Sequence, residues 1–143
     1  MQKIKNICVS DKKGKKSPVK EALIIENFGI QGDFHSKPDS LRQISFLTEE
    51  IIEEFKNKGV NVIDGDFGEN IILTGIDITK IEVGGFISIG DAKIEVTKIG
   101  KDCPTPCIIY KTVGICIMPL YGIFGKVLKG GLIKIEDSFS YSK

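Results

Sequence analysis

Sixteen glycines cut this 143-residue chain into short apolar runs, and that punctuation limits what it can fold into. Helical periodicity is scarce between the glycines, while runs of alternating apolar and polar residues are common. Ala92, Ile94 and Val96 alternate with Lys93, Glu95 and Thr97, the pattern of a strand with one buried and one wet face. Gly90-Asp91 separates this run from Phe86 to Ile89 and predicts a tight hairpin. Lys129-Gly130-Gly131, between Ile123–Leu128 and Leu132–Ile135, predicts a second one. Further strands are expected over Gln2 to Val9, Val19 to Ile25, Arg42 to Leu47 and Asn70 to Leu73. The polar tail from Ser138 to Lys143 is expected to fray.

One stretch is plainly helical. Thr48 suits an N-cap, and Glu49 and Glu50 suit the positive end of a helix dipole. Ile51, Ile52 and Phe55 share a face, and Gly59 is a stop signal. Many short strands with one main α-helix predict a mainly β protein, a closed or nearly closed β-barrel, because closure hides the strand edges. No repeat or linker divides residues 1–143, so a single domain is expected.

The hydrophobic share of 41% and charged share of 27% fit a soluble globular chain. A net charge of +1 gives no case for nucleic acid or an acidic membrane. No segment has the apolar length to span a bilayer. The first residues lead straight into a strand, so a cytoplasmic location with reduced cysteines is the default expectation. The basic run Lys12, Lys13, Lys15 and Lys16 reads first as a solvated loop, with a phosphate or acidic-partner contact as the alternative.

Four segments carry residues able to do chemistry. Gly29-Ile30-Gln31-Gly32-Asp33-Phe34-His35 holds the chain's only histidine. Its glycines let a ligand approach the backbone, and Asp33 can orient His35; taken alone it reads as a turn with a surface histidine. Arg42-Gln43 offers a guanidinium fork suited to phosphate, or a plain edge-strand ion pair. Asp64 to Asn70 lacks the ligand pattern of a calcium loop; its run Gly68-Glu69-Asn70, entering a strand, places polar groups and free N–H groups at a pocket rim, or the segment forms a plain acidic turn. In Cys103-Pro104-Thr105-Pro106-Cys107 the prolines impose a shaped loop. A thiolate there, with Lys101 and Lys111 near in sequence, would be the nucleophile or metal ligand. Buried small hydrophobes are the plain alternative.

The order of these motifs is more specific than any one of them. Gly-Ile-x-Gly-Asp-x-His, Arg-Gln-Ile-Ser, Gly-x-Phe-Gly-Glu-Asn-Ile, Ile-Gly-Asp-Ala, Pro-Cys and Gly-Ile-Phe-x-x-Val-Leu-x-Gly-Gly follow one another from about Ile4 to Asp137. This series resembles the MOSC domain, named for the C-terminal domain of molybdenum cofactor sulfurases, and looks like its short stand-alone bacterial members. The resemblance implies a β-barrel-like fold and binding of the molybdenum cofactor, a pterin dithiolene with a phosphate. It implies that Cys107 carries sulfur as a persulfide or ligates molybdenum, with Cys103 a second thiol in the same loop. It puts Gly32, Asp33, His35, Arg42, Gln43 and Asn70 in pocket-forming motifs. A cysteine desulfurase and a molybdoenzyme are the implied partners. The sulfurases' pyridoxal-phosphate domain does not fit in this length, so pyridoxal phosphate is not expected. The additional N-terminal region of the amidoxime-reducing relatives is not expected either.

Three functions follow as expectations. The first is a module that carries the cofactor and transfers sulfur through Cys107. The second is a small molybdenum oxidoreductase with Cys107 on the metal. The third is a non-enzymatic zinc or interaction module, in which Cys103, Cys107, Cys116 and His35 form a Cys₃His set whose spacing matches no common zinc finger.

Overall fold

The computed structural model describes residues 2–59, 61–100 and 121–143. Its strands run β1 Lys3–Val9, β2 Ser17–Val19, β3 Glu21–Ile25, β4 Gly29–Ile30, β5 Ile44–Thr48, β6 Ile71–Thr74, β7 Phe86–Ile89, β8 Ala92–Ile99, β9 Ile123–Lys129, β10 Gly131–Lys134 and β11 Phe139–Ser142. Among the described residues, the helix α1 Glu49–Asn57 and a short 3₁₀ turn at Ile78–Lys80 accompany them.

The main sheet has the order β11-β7-β8-β9-β5-β6-β1-β2. Its ends curl toward each other until Lys3 of β1 bridges Ser138, just before β11. Ile4 N–H donates to Asp137 O at 2.8 Å and Glu136 N–H donates to Ile4 O at 2.9 Å across this seam. The barrel is nearly closed, as the strand pattern predicts. β10, β3 and β4 form a second, three-stranded sheet in the order β10-β3-β4.

The burial pattern explains the strands. In β8, Ala92, Ile94 and Val96 are buried while Lys93 faces out. In β1, Ile4 and Ile7 both point into the core although they are three residues apart. A register shift between Ile4 and Asn6 makes this possible, since Ile4 faces Leu73 and Ile7 faces Ile71. Ile24, Ile30 and Ile133 of the small sheet belong to the same apolar cluster as Ile4, Phe46 and Ile94. The small sheet therefore packs on the barrel core.

Every residue of β5 is buried because the strand is covered on both sides. Ile44 and Phe46 join the barrel core, while Leu47 joins a second cluster with Ile51, Ile52, Phe67, Ile72 and Phe124. That second cluster is where α1 docks. The Thr48 side chain accepts from Ile51 N–H at 3.4 Å, which caps the helix where the sequence predicts. Burying Ile51 and Ile52 contributes roughly 2 kcal/mol each. The helix links β5 to β6, the parallel pair, as a parallel connection requires.

Three local expectations are corrected. The β7–β8 hairpin forms around Gly90, with Ile89 opposite Ala92, but β9 and β10 make no hairpin. β9 pairs with β8 and β5, and β10 pairs with β3 in the other sheet. Gly130 allows the transfer because a side chain there would collide with Ile24 O. The run from Val19 to Ile25 is two strands, β2 and β3, parted at Lys20. The polar tail is strand β11, paired along β7 and anchored by Phe139 at 5% exposure.

Candidate functional site

The loops that follow β1 and β4 meet at a buried carboxylate, Asp33. Its Oδ1 accepts from Ser10 N–H at 3.1 Å and from Lys16 Nζ at 2.7 Å. Its Oδ2 accepts from His35 N–H at 3.1 Å. The side chains of Lys16 and Asp33 are both at 0% exposure, whereas His35 is 42% exposed. Lys16 Nζ also lies 3.2 Å from His35 Nδ1. The result is a lysine–aspartate–histidine cluster whose outer member is an accessible imidazole.

The solvated-loop reading of the basic run is therefore corrected at one position. Lys12, Lys13 and Lys15 are exposed, but Lys16 is buried. Nothing in the sequence separates Lys16 from its neighbours. The distinguishing feature is Asp33, 17 positions further on, which needs a cation once it is buried.

Asp64 to Asn70 supports this cluster from behind. Lys16 N–H donates to Gly65 O at 2.9 Å. Gly65 N–H and Phe67 N–H donate to the two oxygens of Glu69 at 3.0 and 3.1 Å. These N–H groups are held by Glu69, and those of Gly68 and Asn70 donate to Gly65 O at 3.0 Å and Ser45 Oγ at 3.1 Å, so they are not the free donors expected from the sequence. Burial pushes the Glu69 carboxyl up to about 7, with Asp64 adding repulsion, although hydrogen bonds from Gly65 and Phe67 oppose this.

The remaining candidates divide between loop and interior. Gly32 is exposed, with φ +86° and nothing within 4 Å of where a side chain would project. Arg42 is exposed, its guanidinium 5.6 Å from the centre of the Phe124 ring. Gln43 is fully buried and donates to Asn27 Oδ1 and Lys37 O, while its own Oε1 accepts from Val127 N–H at 2.9 Å. Asn70 is also buried and ties β5 to β1. Its Oδ1 accepts from Ser45 N–H at 3.0 Å and its Nδ2 donates to Cys8 O at 3.1 Å. Gln43 and Asn70 thus brace the strands beneath the loops, and Gly32, His35 and Arg42 are the accessible groups.

Cys103, Cys107 and Cys116 lie outside the described residues. Cys8 is buried, and burial, followed by repulsion from Glu69 and Asp64, pushes its thiol up to about 12. Among the described residues, no group of three or more His, Cys, Asp or Glu side chains could hold a metal ion, and no helix is long and apolar enough to cross a membrane. A cavity of about 610 Å³ lies beside α1, lined by Thr48, Ile51, Ile76, Asp77 and Tyr121 among others. None of the loop candidates lines it.

Fold and cluster together define a small β-barrel protein whose polar site is built from the loops after β1 and β4. The family model for the MOSC domain matches residues 31–140, and the chain belongs to the MOSC domain family. Lys16 falls outside the matched segment. The structure is similar to that of the YUAD protein from Bacillus subtilis, with a TM-score of 0.81 and 19% identity, covering 100% of this chain and 97% of that one. It is similar to YiiM from Geobacillus stearothermophilus, with a TM-score of 0.75 and 19% identity, over 100% of this chain and 76% of that one. YiiM from Escherichia coli gives 0.69 and 17% identity, over 100% and 70%. These likenesses bear on the fold. No curated protein matches.

Proposed function

We propose that this chain acts as a single MOSC domain that binds the molybdenum cofactor and carries or delivers it, with Cys107 as the sulfur-bearing or metal-ligating thiolate. The observation that carries the reading is membership of the MOSC family together with the Gly32-Asp33-His35 loop, whose exposed members lie over a buried ion pair. The exposed residues suit the cofactor. Arg42 has the fork that holds a phosphate, and the open backbone at Gly32 admits a flat pterin. When bound, the cofactor would supply a sulfur-binding metal on a dithiolene, which matches a cysteine thiolate. The chain's own residues hold and orient it. A separate cysteine desulfurase would load Cys107, and a molybdoenzyme would receive the product.

The test is co-expression with cofactor biosynthesis, followed by measurement of bound molybdenum and pterin in wild type and Cys107→Ser. Wild type is expected to copurify with both, and Cys107→Ser to lose sulfur transfer or the thiolate–metal signal. A wild-type chain free of pterin and molybdenum would overturn the proposal.

A further inference from the structure

The cluster around Asp33 fixes more than a salt bridge. A lysine ammonium has three donors and no acceptor. Lys16 Nζ gives one hydrogen to Asp33 Oδ1 at 2.7 Å and sits 3.2 Å from His35 Nδ1. A hydrogen bond at that distance requires Nδ1 to accept, so Nδ1 carries no proton. The competing arrangement has Nδ1–H donating to Asp33 Oδ2, but that separation is 4.0 Å, beyond hydrogen-bond reach. Asp33 Oδ2 is already taken by the His35 backbone N–H at 3.1 Å. The Phe34 ring meets the imidazole edge-on, 5.3 Å between centres at 89°.

We infer that Lys16 is the positioning residue of this site: clamped by Asp33, it holds His35 as the neutral Nε2–H tautomer. His35 then serves as a hydrogen-bond donor through Nε2 and not as a base at that atom. An Nε2–H suits an acceptor, such as an oxyanion oxygen or a thiolate. Only the identity of that acceptor rests on the proposed cofactor function. The tautomer belongs to the ligand-free protein.

The chain has a single histidine, so its imidazole signals need no assignment. Long-range ¹H–¹⁵N correlation spectra of the ligand-free wild type at neutral pH are expected to show one tautomer, with a pyridine-like Nδ1 and a pyrrole-like Nε2. Averaged nitrogen shifts, or a protonated Nδ1, would overturn the inference. In Lys16→Met, tautomer exchange is expected to appear, with a gain of the Nδ1–H form toward Asp33. A folded Lys16→Met chain with the wild-type nitrogen shifts would also overturn it. Should that variant fail to fold, the wild-type spectrum alone decides. Neither measurement involves molybdenum or pterin, so loss of the cofactor proposal would leave this one standing.

Discussion

Lys16 and Asp33 form an ion pair 2.7 Å long with both side chains at 0% exposure, and it joins the loop after β1 to the loop after β4. Removing one partner strands the other charge in the interior. Lys16→Met is therefore expected to destabilise the chain by about 3–5 kcal/mol. Replacing both, Lys16→Met with Asp33→Leu, removes the stranded charge and should recover much of that loss. It also leaves Ser10 N–H and His35 N–H without their acceptor, so recovery is partial. Urea denaturation of the two single variants and the double variant measures the coupling. Additive losses would show that the pair is not energetically joined.

Glu69 predicts a pH dependence. Its ordinary value is 4.5, and burial raises it to about 7 in the fold. Between these values the folded chain keeps a proton that the unfolded chain has lost. Stability therefore falls as pH rises through this window and levels off above it. From 4.5 to about 7 the effect is about 3–4 kcal/mol at most. Glu69→Gln should flatten this dependence. Its amide cannot accept from both Gly65 N–H and Phe67 N–H, so it costs about 1–3 kcal/mol at pH 5. Thermal melts from pH 5 to 8 on both chains test this; equal slopes would remove Glu69 as the source.

Cys8 should be chemically silent. Its thiol is buried and pushed up to about 12, so little thiolate exists at pH 8. Native-state alkylation at pH 8 is expected to leave Cys8 unmodified, and Cys8→Ala should not change the rapid labelling stoichiometry. Under the proposed function, Cys107→Ser lowers that stoichiometry by one thiol. Mass spectrometry of the labelled peptides separates the sites, and rapid modification of Cys8 would contradict its burial.

Much of the fold was legible because the signals were local. The alternation in Ala92 to Val96, the Gly90-Asp91 turn and the Thr48 cap each depend on neighbours in sequence. The β9–β10 link was misread because its glycines resemble hairpin glycines. What decides it is the close approach of Ile24 O to Gly130, a contact between distant segments. The site followed the same division. Asp33 and His35 stood out as a motif, and the structure joins them. Lys16 was hidden among exposed lysines, because its burial is set by a partner on another loop. Gln43 and Asn70 were found as motif residues, but their internal hydrogen bonds depend on strand pairing that sequence spacing does not reveal.

Gly32 in the loop after β4 and Gly65 between α1 and β6 give a final prediction, because they share a backbone conformation but not an environment. Gly32 and Gly65 have φ of +86° and +95°. An alanine at Gly32 meets nothing within 4 Å, so Gly32→Ala carries only the left-handed backbone cost, about 1–2 kcal/mol. At Gly65 the same methyl runs into Lys16 O and comes to 3.5 Å from Cys8 Sγ. Gly65→Ala adds a steric clash against backbone to the same conformational cost, so its loss should be about 4 kcal/mol or more. The clash also pushes on the residue that holds His35. A partly destabilised Gly65→Ala chain should therefore show averaged His35 nitrogen shifts, while Gly32→Ala keeps the wild-type pattern. Denaturation curves and imidazole spectra on both variants test the two effects separately. Equal losses in the two variants would mean that the Lys16–Gly65 contact does not brace the site.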